Sequence, residues 1–460
     1  MPAASDTERL GSAPIGRLIL AFSGPSIVST ALTSISAIIS AIFIGYCVGG
    51  IAIASMAVTF PLINLIMAVS LLLGSGGATL CSIYLGKDDP DTARAAMGHV
   101  AVMSFAGGLV FGLGVQPFLE DLLFLFGASE NTLGGAMDYM RIMCALLFFQ
   151  YPMMAMISLM RASGYPHKSM IIAMMNVAFT VLFLFLFVWY LEWGMAGAAL
   201  ASAVGHVPAL VFILVHFTSE KHTVHFTRDC FRFRPALVKR ILQIGLPPFL
   251  MNCCSCVIAI LINQTLLHFG GDLAIAAYGI VNRIIMLAGM IVMGVNLGTQ
   301  PVIGYNWGAQ NYDRVRGAVR ISVLISTSIM TAAFVFMELW PGVMVRMFTN
   351  EADLIELAEH CLRIFILLSS LVGIQMPLVN YFMSIGEAFI GGVLGLTRQL
   401  IFVLPFLIVL PRYFGLDGVF YTIPAADLCS FVTTAGMYLF YQRKHKPCFE
   451  EGIECPPPKF

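Results

Sequence analysis

The sequence is short of charge. Only 11% of its 460 residues are Asp, Glu, Lys or Arg, whereas 59% are hydrophobic. Between Leu18 and Gly86 there is no acidic residue, basic residue or histidine. That uncharged run is long enough for two transmembrane helices, and a soluble domain does not have such a composition. The net charge is zero, so no basic surface indicates a nucleic-acid partner. The composition predicts a polytopic membrane protein.

Sequence motifs of nucleotide-binding proteins and of hydrolytic enzymes are also missing. The sequence has no G-x-x-x-x-G-K-[ST] phosphate-binding loop, no H-E-x-x-H and no G-x-S-x-G. These absences argue against an ATP-driven motor and against an enzyme, and we expect neither an ATPase subunit nor a cofactor. The only clustered cysteines are Cys253, Cys254 and Cys256, in an apolar run without histidine or carboxylate. We interpret them as small packing residues rather than a metal or redox site.

The chain contains an internal repeat. Moving the stretch 247–316 back by 222 positions places it on 25–94 without a gap, and the matching positions are mostly turn-forming, helix-breaking and capping residues. The matches include Pro25 with Pro247, Gly49 with Gly271, Asp91 with Asp313 and Arg94 with Arg316. Gly164 matches Gly386 at the same offset. Pro152 likewise pairs with Pro377. Prolines paired in this way predict bends used in a transport cycle, with static packing as the alternative.

Apolar runs of suitable length predict twelve helices, because an unclosed sheet does not span a bilayer. The predicted spans are 16–45, 51–85, 93–117, 137–162, 167–190, 195–217, 239–268, 274–307, 315–340, 357–385, 388–411 and 416–442. Basic residues concentrate before helix 1 and after helices 2, 4, 6, 8 and 12. The positive-inside rule therefore places both termini in the cytoplasm.

Six helices in each half predict two pseudo-symmetric lobes that share one orientation in the membrane. The longest polar connector separates them. We expect an N-terminal lobe at 1–217, a cytoplasmic connector at 218–240, a C-terminal lobe at 241–442 and a cytoplasmic tail at 443–460.

Polar residues deep in the predicted spans are the candidates for function, because charge in a bilayer is costly. The repeat aligns Asn176 with Arg398, and His206 with Asp427. Helix rise places Arg398 and Asp427 near the middle of the bilayer, on consecutive antiparallel helices. We predict a direct or water-bridged ion pair between them, which is either part of the transport cycle or a permanent structural pair. His206 is either a titrating group or a packing residue. Glu387, at a cytoplasmic turn, is expected to be solvated.

Several stretches resemble the multidrug and toxic compound extrusion (MATE) family, and its bacterial branch in particular. They include YLGKDDPDTA at 84–93, GDLAIAAYGIVNRI at 271–284 and GTQPVIGYNWGAQNYDRV at 298–315. The resemblance covers nearly the whole chain. It implies twelve helices in two lobes around a central cleft, in a bacterial inner membrane, and export of organic compounds against entry of H⁺ or Na⁺.

The chain departs from the family where coupling acids are usual. Ser40 occupies the position of a helix 1 Asp, and Thr180 that of an Asp after Asn176. Neither side chain titrates in the working range. Coupling would then move to the second lobe, where Arg283 and Arg398 against the single acid Asp427 leave a local surplus of positive charge. The candidate substrate- and ion-binding residues of the cleft are Ser40, Asn176, Thr180, His206, Asn252, Arg283, Arg398 and Asp427.

These observations predict a secondary-active antiporter that exports small organic compounds or drugs by alternating access. The surplus of positive charge favours anionic, zwitterionic or neutral substrates. The alternative within transport is a flippase for a lipid-linked or amphipathic metabolite. A membrane enzyme and a channel are weaker alternatives. The expected partners are a small-molecule substrate and the lipid bilayer, and a monomer suffices because each chain holds both lobes.

Overall fold

A computed structural model describes residues 9–445. Within that range the chain forms helices and turns, with no β-strand. It divides into two compact units. Unit 1 runs up to Ala13 and includes Val28–Phe249, and unit 2 consists of Pro14–Ile27 together with the chain from Leu250 onward. From residue 446 onward, the predicted tail at 443–460 lies outside the described residues. The predicted lobe boundaries stay a prediction.

Unit 1 contains most of the first nine helices. They are α1 (Arg9–Ser12), α2 (Ile15–Cys47), α3 (Gly50–Gly86), α4 (Pro90–Val115), α5 (Leu119–Leu125), α6 (Glu130–Ala145), α7 (Leu147–Ala162), α8 (Pro166–Leu184) and α9 (Gly194–Thr218). A π-helical segment, Phe185–Tyr190, extends α8.

Unit 2 contains most of the remaining helices. They are α10 (Pro235–Gly308), α11 (Tyr312–Leu339), α12 (Pro341–Arg346), α13 (Ala352–Ile366), α14 (Ser369–Ser384), α15 (Ala388–Leu396) and α16 (Leu404–Lys444). A second π-helical segment, Thr397–Val403, joins α15 to α16.

Two helices belong to both units, and the matched prolines stand beside the points where they change unit. The boundary in α2 falls between Ile27 and Val28, just after Pro25, and the boundary in α10 falls just after Pro247 and Pro248. In unit 1, Gly76 of α3 packs on the backbone of Ile241 in α10 so closely that an added Cβ would overlap the Ile241 carbonyl oxygen. The start of α10 is thus built into unit 1.

Glycines that the repeat pairs both have a positive φ. Gly271 breaks α10 with φ +65°, and its counterpart Gly49 has φ +109°. Gly415 breaks α16 with φ +59°, and its counterpart Gly194 has φ +58°. Side chains with a Cβ rarely adopt this left-handed region. In both halves, a glycine with positive φ therefore forms the turn between two spans.

Eight helices are long and apolar enough to cross a membrane, or up to ten if each bent pair counts as one span. The bent pairs are α6 with α7, at 61°, and α13 with α14, at 48°. The break between α6 and α7 lies at Leu146, six residues before Pro152. The matched prolines Pro152 and Pro377 lie inside α7 and α14. The bends are not at these prolines, as predicted, but at the breaks that precede the two helices.

The connector after α9 is folded onto unit 1. Arg94 Nε donates to the carbonyl of Thr223 at 3.0 Å, and the backbone N–H of Arg234 donates to His99 Nε2 at 2.9 Å. Cys230 is buried, and its backbone packs against Gly98 of α4. The connector is thus an ordered segment that makes its own contacts with α4.

Candidate functional site

Arg398 and Asp427 form an ion pair inside unit 2. Arg398 Nε donates to Asp427 Oδ1 at 2.6 Å. Asp427 belongs to α16 and is only 3% exposed, whereas the Arg398 side chain keeps a third of its surface accessible. Because an unpaired carboxylate at such a depth would lose most of its solvation, the guanidinium is what allows Asp427 to be charged there. The pair predicted from the repeat is confirmed.

Local backbone geometry positions the arginine. Arg398 is the second residue of the π-helical segment Thr397–Val403. The hydroxyl of Thr397 donates to the carbonyl of Val393 at 2.5 Å, one turn earlier. A π-helical turn contains an extra residue, and such turns are frequent at functional sites because they redirect side chains. The segment therefore directs the guanidinium at α16.

Neutral polar side chains extend the site beyond the ion pair. Ser430 lies three residues after Asp427, and its hydroxyl accepts a hydrogen bond from Gln375 Nε2 of α14. Gln399 Nε2, beside Arg398, donates to Ser255 Oγ of α10 at 2.7 Å. None of these four neutral residues was predicted from the sequence. The spacing of Ser430 from Asp427 was the available signal, since residues three apart share a helix face.

Buried oxygen atoms without a protein partner lie on α16, which carries Asp427, on α14, which is bonded to it, and on α11. Gln375 Oε1 is one, and its residue is 3% exposed. Within residues 9–445 the same holds for hydroxyl oxygens on α11, α14 and α16, namely those of Ser322, Ser326, Thr327, Ser369 and Thr434. Buried polar groups are normally hydrogen-bonded to protein, water or ligand. Oxygen donors of this type suit water or a hard cation such as Na⁺.

In unit 1 the predicted residues lie on α2, α8 and α9. Thr180 is buried against Gly205, whose Cβ position would lie 3.1 Å from the Thr180 Cα. His206 follows Gly205, is 7% exposed and bonds through Nδ1 to the carbonyl of Ser202 at 2.5 Å. Ser40 donates to the carbonyl of Ser36 at 2.9 Å. Thr180 and His206 thus lie at one helix–helix contact.

Asn176 is half-buried, and its Oδ1 is buried without a partner among the described residues. Asn176 and His206 occupy the repeat positions of Arg398 and Asp427, yet no hydrogen bond joins them within the described chain. The first half therefore has no counterpart of the ion pair.

The remaining predicted residues belong to α10. Arg283 is exposed and makes no ion pair with any residue that the structure describes. Asn252 is half-buried beside Met251, whose Sδ would lie 2.5 Å from a Cβ on Gly395 of α15. Asn252 therefore lies on the part of α10 that packs against the segment carrying Arg398. Arg283 is not brought to the pair.

Comparison with known proteins decides the family. The MatE family profile matches residues 25–186 and again 247–409. The two matches begin at Pro25 and Pro247, the residues that open the internal repeat. The chain belongs to the MatE family. It is a multi-pass membrane transporter of that family and not an enzyme, as we expected from the sequence.

Relatives of known name are similar over almost their full length. The chain is 27% identical to the multidrug export protein MepA of Staphylococcus aureus (strain MSSA476) over 440 residues, covering 94% of this chain and 95% of the relative. It is 26% identical to MepA of Staphylococcus haemolyticus (strain JCSC1435) over 439 residues, with 94% of each chain covered.

Solved structures of MATE transporters share the fold. An outward-facing multidrug resistance MATE transporter of the MOP superfamily superposes with a TM-score of 0.90 at 21% identity, covering 97% of this chain and all of that one. The MATE multidrug transporter DinF-BH superposes with a TM-score of 0.88 at 27% identity, covering 98% of this chain and all of that one. The all-helical fold predicted from the sequence is confirmed.

Proposed function

We propose that this protein is a secondary-active antiporter that exports small organic compounds by alternating access, driven by H⁺ or Na⁺. Family membership supports transport, and the names of its relatives support multidrug export. Like them, the chain would bind a small molecule and work as a single chain. The expected location is a bacterial inner membrane, and no cofactor other than the coupling ion is proposed.

Twelve spans follow if each bent pair is one span and if the glycine breaks in α10 and α16 each separate two. Gly271 divides α10, which is 74 residues long, and Gly415 falls within the 57-residue stretch from Ala388 to Lys444. Each stretch is long enough for two crossings at about 20 residues each. The concentration of basic residues at one side then supports cytoplasmic termini.

The Arg398–Asp427 pair is the observation on which the coupling proposal rests. Family members commonly have an acid in helix 1, but Ser40 occupies that position and only bonds its own helix. Asp427 is a buried carboxylate with an arginine partner, and its helix and the neighbouring α14 carry buried oxygen atoms without partners among the described residues. Binding of H⁺ or Na⁺ at Asp427 would weaken its attraction to Arg398, and this change links ion entry to a conformational step.

The charge balance bears on the choice of substrate. At the ion pair Arg398 keeps a third of its side chain exposed, whereas Asp427 is buried, so a ligand there meets positive charge. We therefore propose that anionic, zwitterionic or neutral compounds are transported better than permanent cations.

The test uses proteoliposomes prepared without Na⁺ and given a pH gradient. Dissipation of that gradient is followed as candidate compounds are added, and the panel contains a permanent organic cation and an anionic, a zwitterionic and a neutral compound. We expect compound-dependent dissipation, or compound movement once a Na⁺ gradient replaces the pH gradient. His206→Ala tests whether the histidine takes part. No movement under either gradient would contradict antiport and favour the flippase.

A further inference from the structure

Two opposite charges line one pocket of unit 2. The pocket has a volume of about 400 Å³, and its walls include Phe334 and Glu338 of α11, His360 and Arg363 of α13 and Tyr421 of α16. Neither Glu338 nor Arg363 forms an ion pair or hydrogen bond with any residue in the described part of the chain. The carboxylate and the guanidinium are therefore both free to bind a ligand carrying both charges.

The pocket lies at the end of the membrane spans. Glu338 is the second-last residue of α11, which is followed by the exposed Trp340. His360 is on the pocket wall, and its Nε2 lies 2.9 Å from Oδ1 of Asp417, which comes two residues after the break at Gly415. Span ends lie at the level of the lipid headgroups, where tryptophan and tyrosine are enriched. The charges are thus placed where headgroups are found.

An apolar groove of about 530 Å³ adjoins the charged pocket. The two share Leu367 and Tyr421, and the groove continues along Leu368, Leu410 and Phe414. Its one charged wall residue, Asp417, is bonded to His360 of the pocket. It begins where α13 and α14 meet at 48°. A soluble zwitterion would use only the charged pocket, whereas a phospholipid would place its headgroup among the charges and an acyl chain in the groove.

We propose that this surface binds a zwitterionic phospholipid with a primary ammonium group, of the phosphatidylethanolamine type. Arg363 binds the phosphate. Glu338 accepts hydrogen bonds from the ammonium, whereas a trimethylated choline group has no N–H to donate. The proposal does not depend on the substrate exported.

The internal repeat supplies a natural comparison. Counting back 222 positions, Arg141 corresponds to Arg363, and Gln116 corresponds to Glu338. Gln116 Nε2 donates to the carbonyl of Arg141 at 2.8 Å. Unit 1 therefore has a hydrogen-bonded amide where unit 2 has the Glu338 carboxylate, and Arg141→Gln is the matched control for Arg363→Gln.

The experiment titrates the delipidated full-length chain in detergent with dioleoyl phosphatidylethanolamine, phosphatidylcholine or phosphatidylglycerol, and bound lipid is counted by intact-complex mass spectrometry. We expect phosphatidylethanolamine to bind about fivefold more tightly than phosphatidylcholine, the scale of one exposed charge interaction. Glu338→Gln should remove this preference. Arg363→Gln should weaken both lipids about fivefold, and Arg141→Gln should weaken neither.

The proposal is overturned if the native chain binds the two zwitterionic lipids equally or prefers phosphatidylglycerol. It is also overturned if Glu338→Gln and Arg363→Gln behave like Arg141→Gln. Both side chains are at least partly exposed, so the substitutions leave the fold intact, which a melting curve of each variant verifies.

Discussion

Arg398 and Asp427 are joined at 2.6 Å, but the two partners differ in their access to water: 34% of the arginine side chain is exposed and 4% of the aspartate. Removing either partner therefore has different consequences. Loss of Arg398 leaves a buried carboxylate without compensation, whereas loss of Asp427 leaves a guanidinium that already reaches solvent. The two single substitutions should therefore reduce the stability of the protein by different amounts.

We expect Arg398→Met to destabilise the protein by about 3 kcal/mol, near the lower end of the cost of breaking a buried pair. Asp427→Asn should cost less, and the double variant should recover part of the loss because no charge is left unpaired. Thermal unfolding of the four proteins in detergent measures this order. Equal losses in the two single variants would contradict the asymmetry.

Gly205 allows α8 and α9 to approach beside His206. In Gly205→Ala the new methyl group would overlap the hydroxyl of Thr180, whose Cα would lie 3.1 Å away. We expect a loss of about 1 to 3 kcal/mol, as for other overpacked helix contacts. Gly134 of α6 is helical with no atom within 4 Å of its Cβ position, so Gly134→Ala is the control and should be neutral or stabilising. A melting temperature unchanged by Gly205→Ala would contradict this packing.

Glu387, between α14 and α15, gives a pH-dependent prediction. Burial raises the pKa of the Glu387 carboxyl above its ordinary value of 4.5, and the nearby Tyr441 hydroxyl and Lys444 only partly oppose this effect. A raised pKa means that the folded state binds the proton more tightly than the unfolded state. Ionisation therefore reduces stability as pH rises above 4.5, and the penalty is complete above the folded-state pKa.

Glu387→Gln should accordingly raise the melting temperature at pH 8 and make little difference near pH 4.5. Melting curves across that range measure the effect, and Glu220→Gln, at an exposed position, provides the comparison. A gain that is the same at all pH values would show that ionisation is not its source.

The repeat explains why the central pair was predictable. Equivalent glycines turn both halves, so counting residues from these turns located Arg398 and Asp427 at the same depth. Gln375 and Ser430 were not predictable in this way, because a neutral polar residue in an apolar helix carries no cost that marks it. Their contact depends on how α14 packs against α16.

Other features depend on packing that periodicity does not reveal. The bend at Leu146 has neither proline nor glycine at the break, whereas the matched prolines predicted it at Pro152. Glu387 was expected to be solvated, but the structure partly buries it near Tyr441. The Glu387 contact comes from Tyr441, a residue distant in sequence.

The most direct test of the account is gradient-driven transport by Asp427→Asn. Native protein, Asp427→Asn and Asp417→Asn, which removes a half-exposed carboxylate from the same helix, are reconstituted and given first a pH gradient and then a Na⁺ gradient. Under whichever gradient drives the native protein, transport should persist in Asp417→Asn and be lost in Asp427→Asn. Full gradient-driven transport by Asp427→Asn would contradict the claim that Asp427 couples ion entry to export.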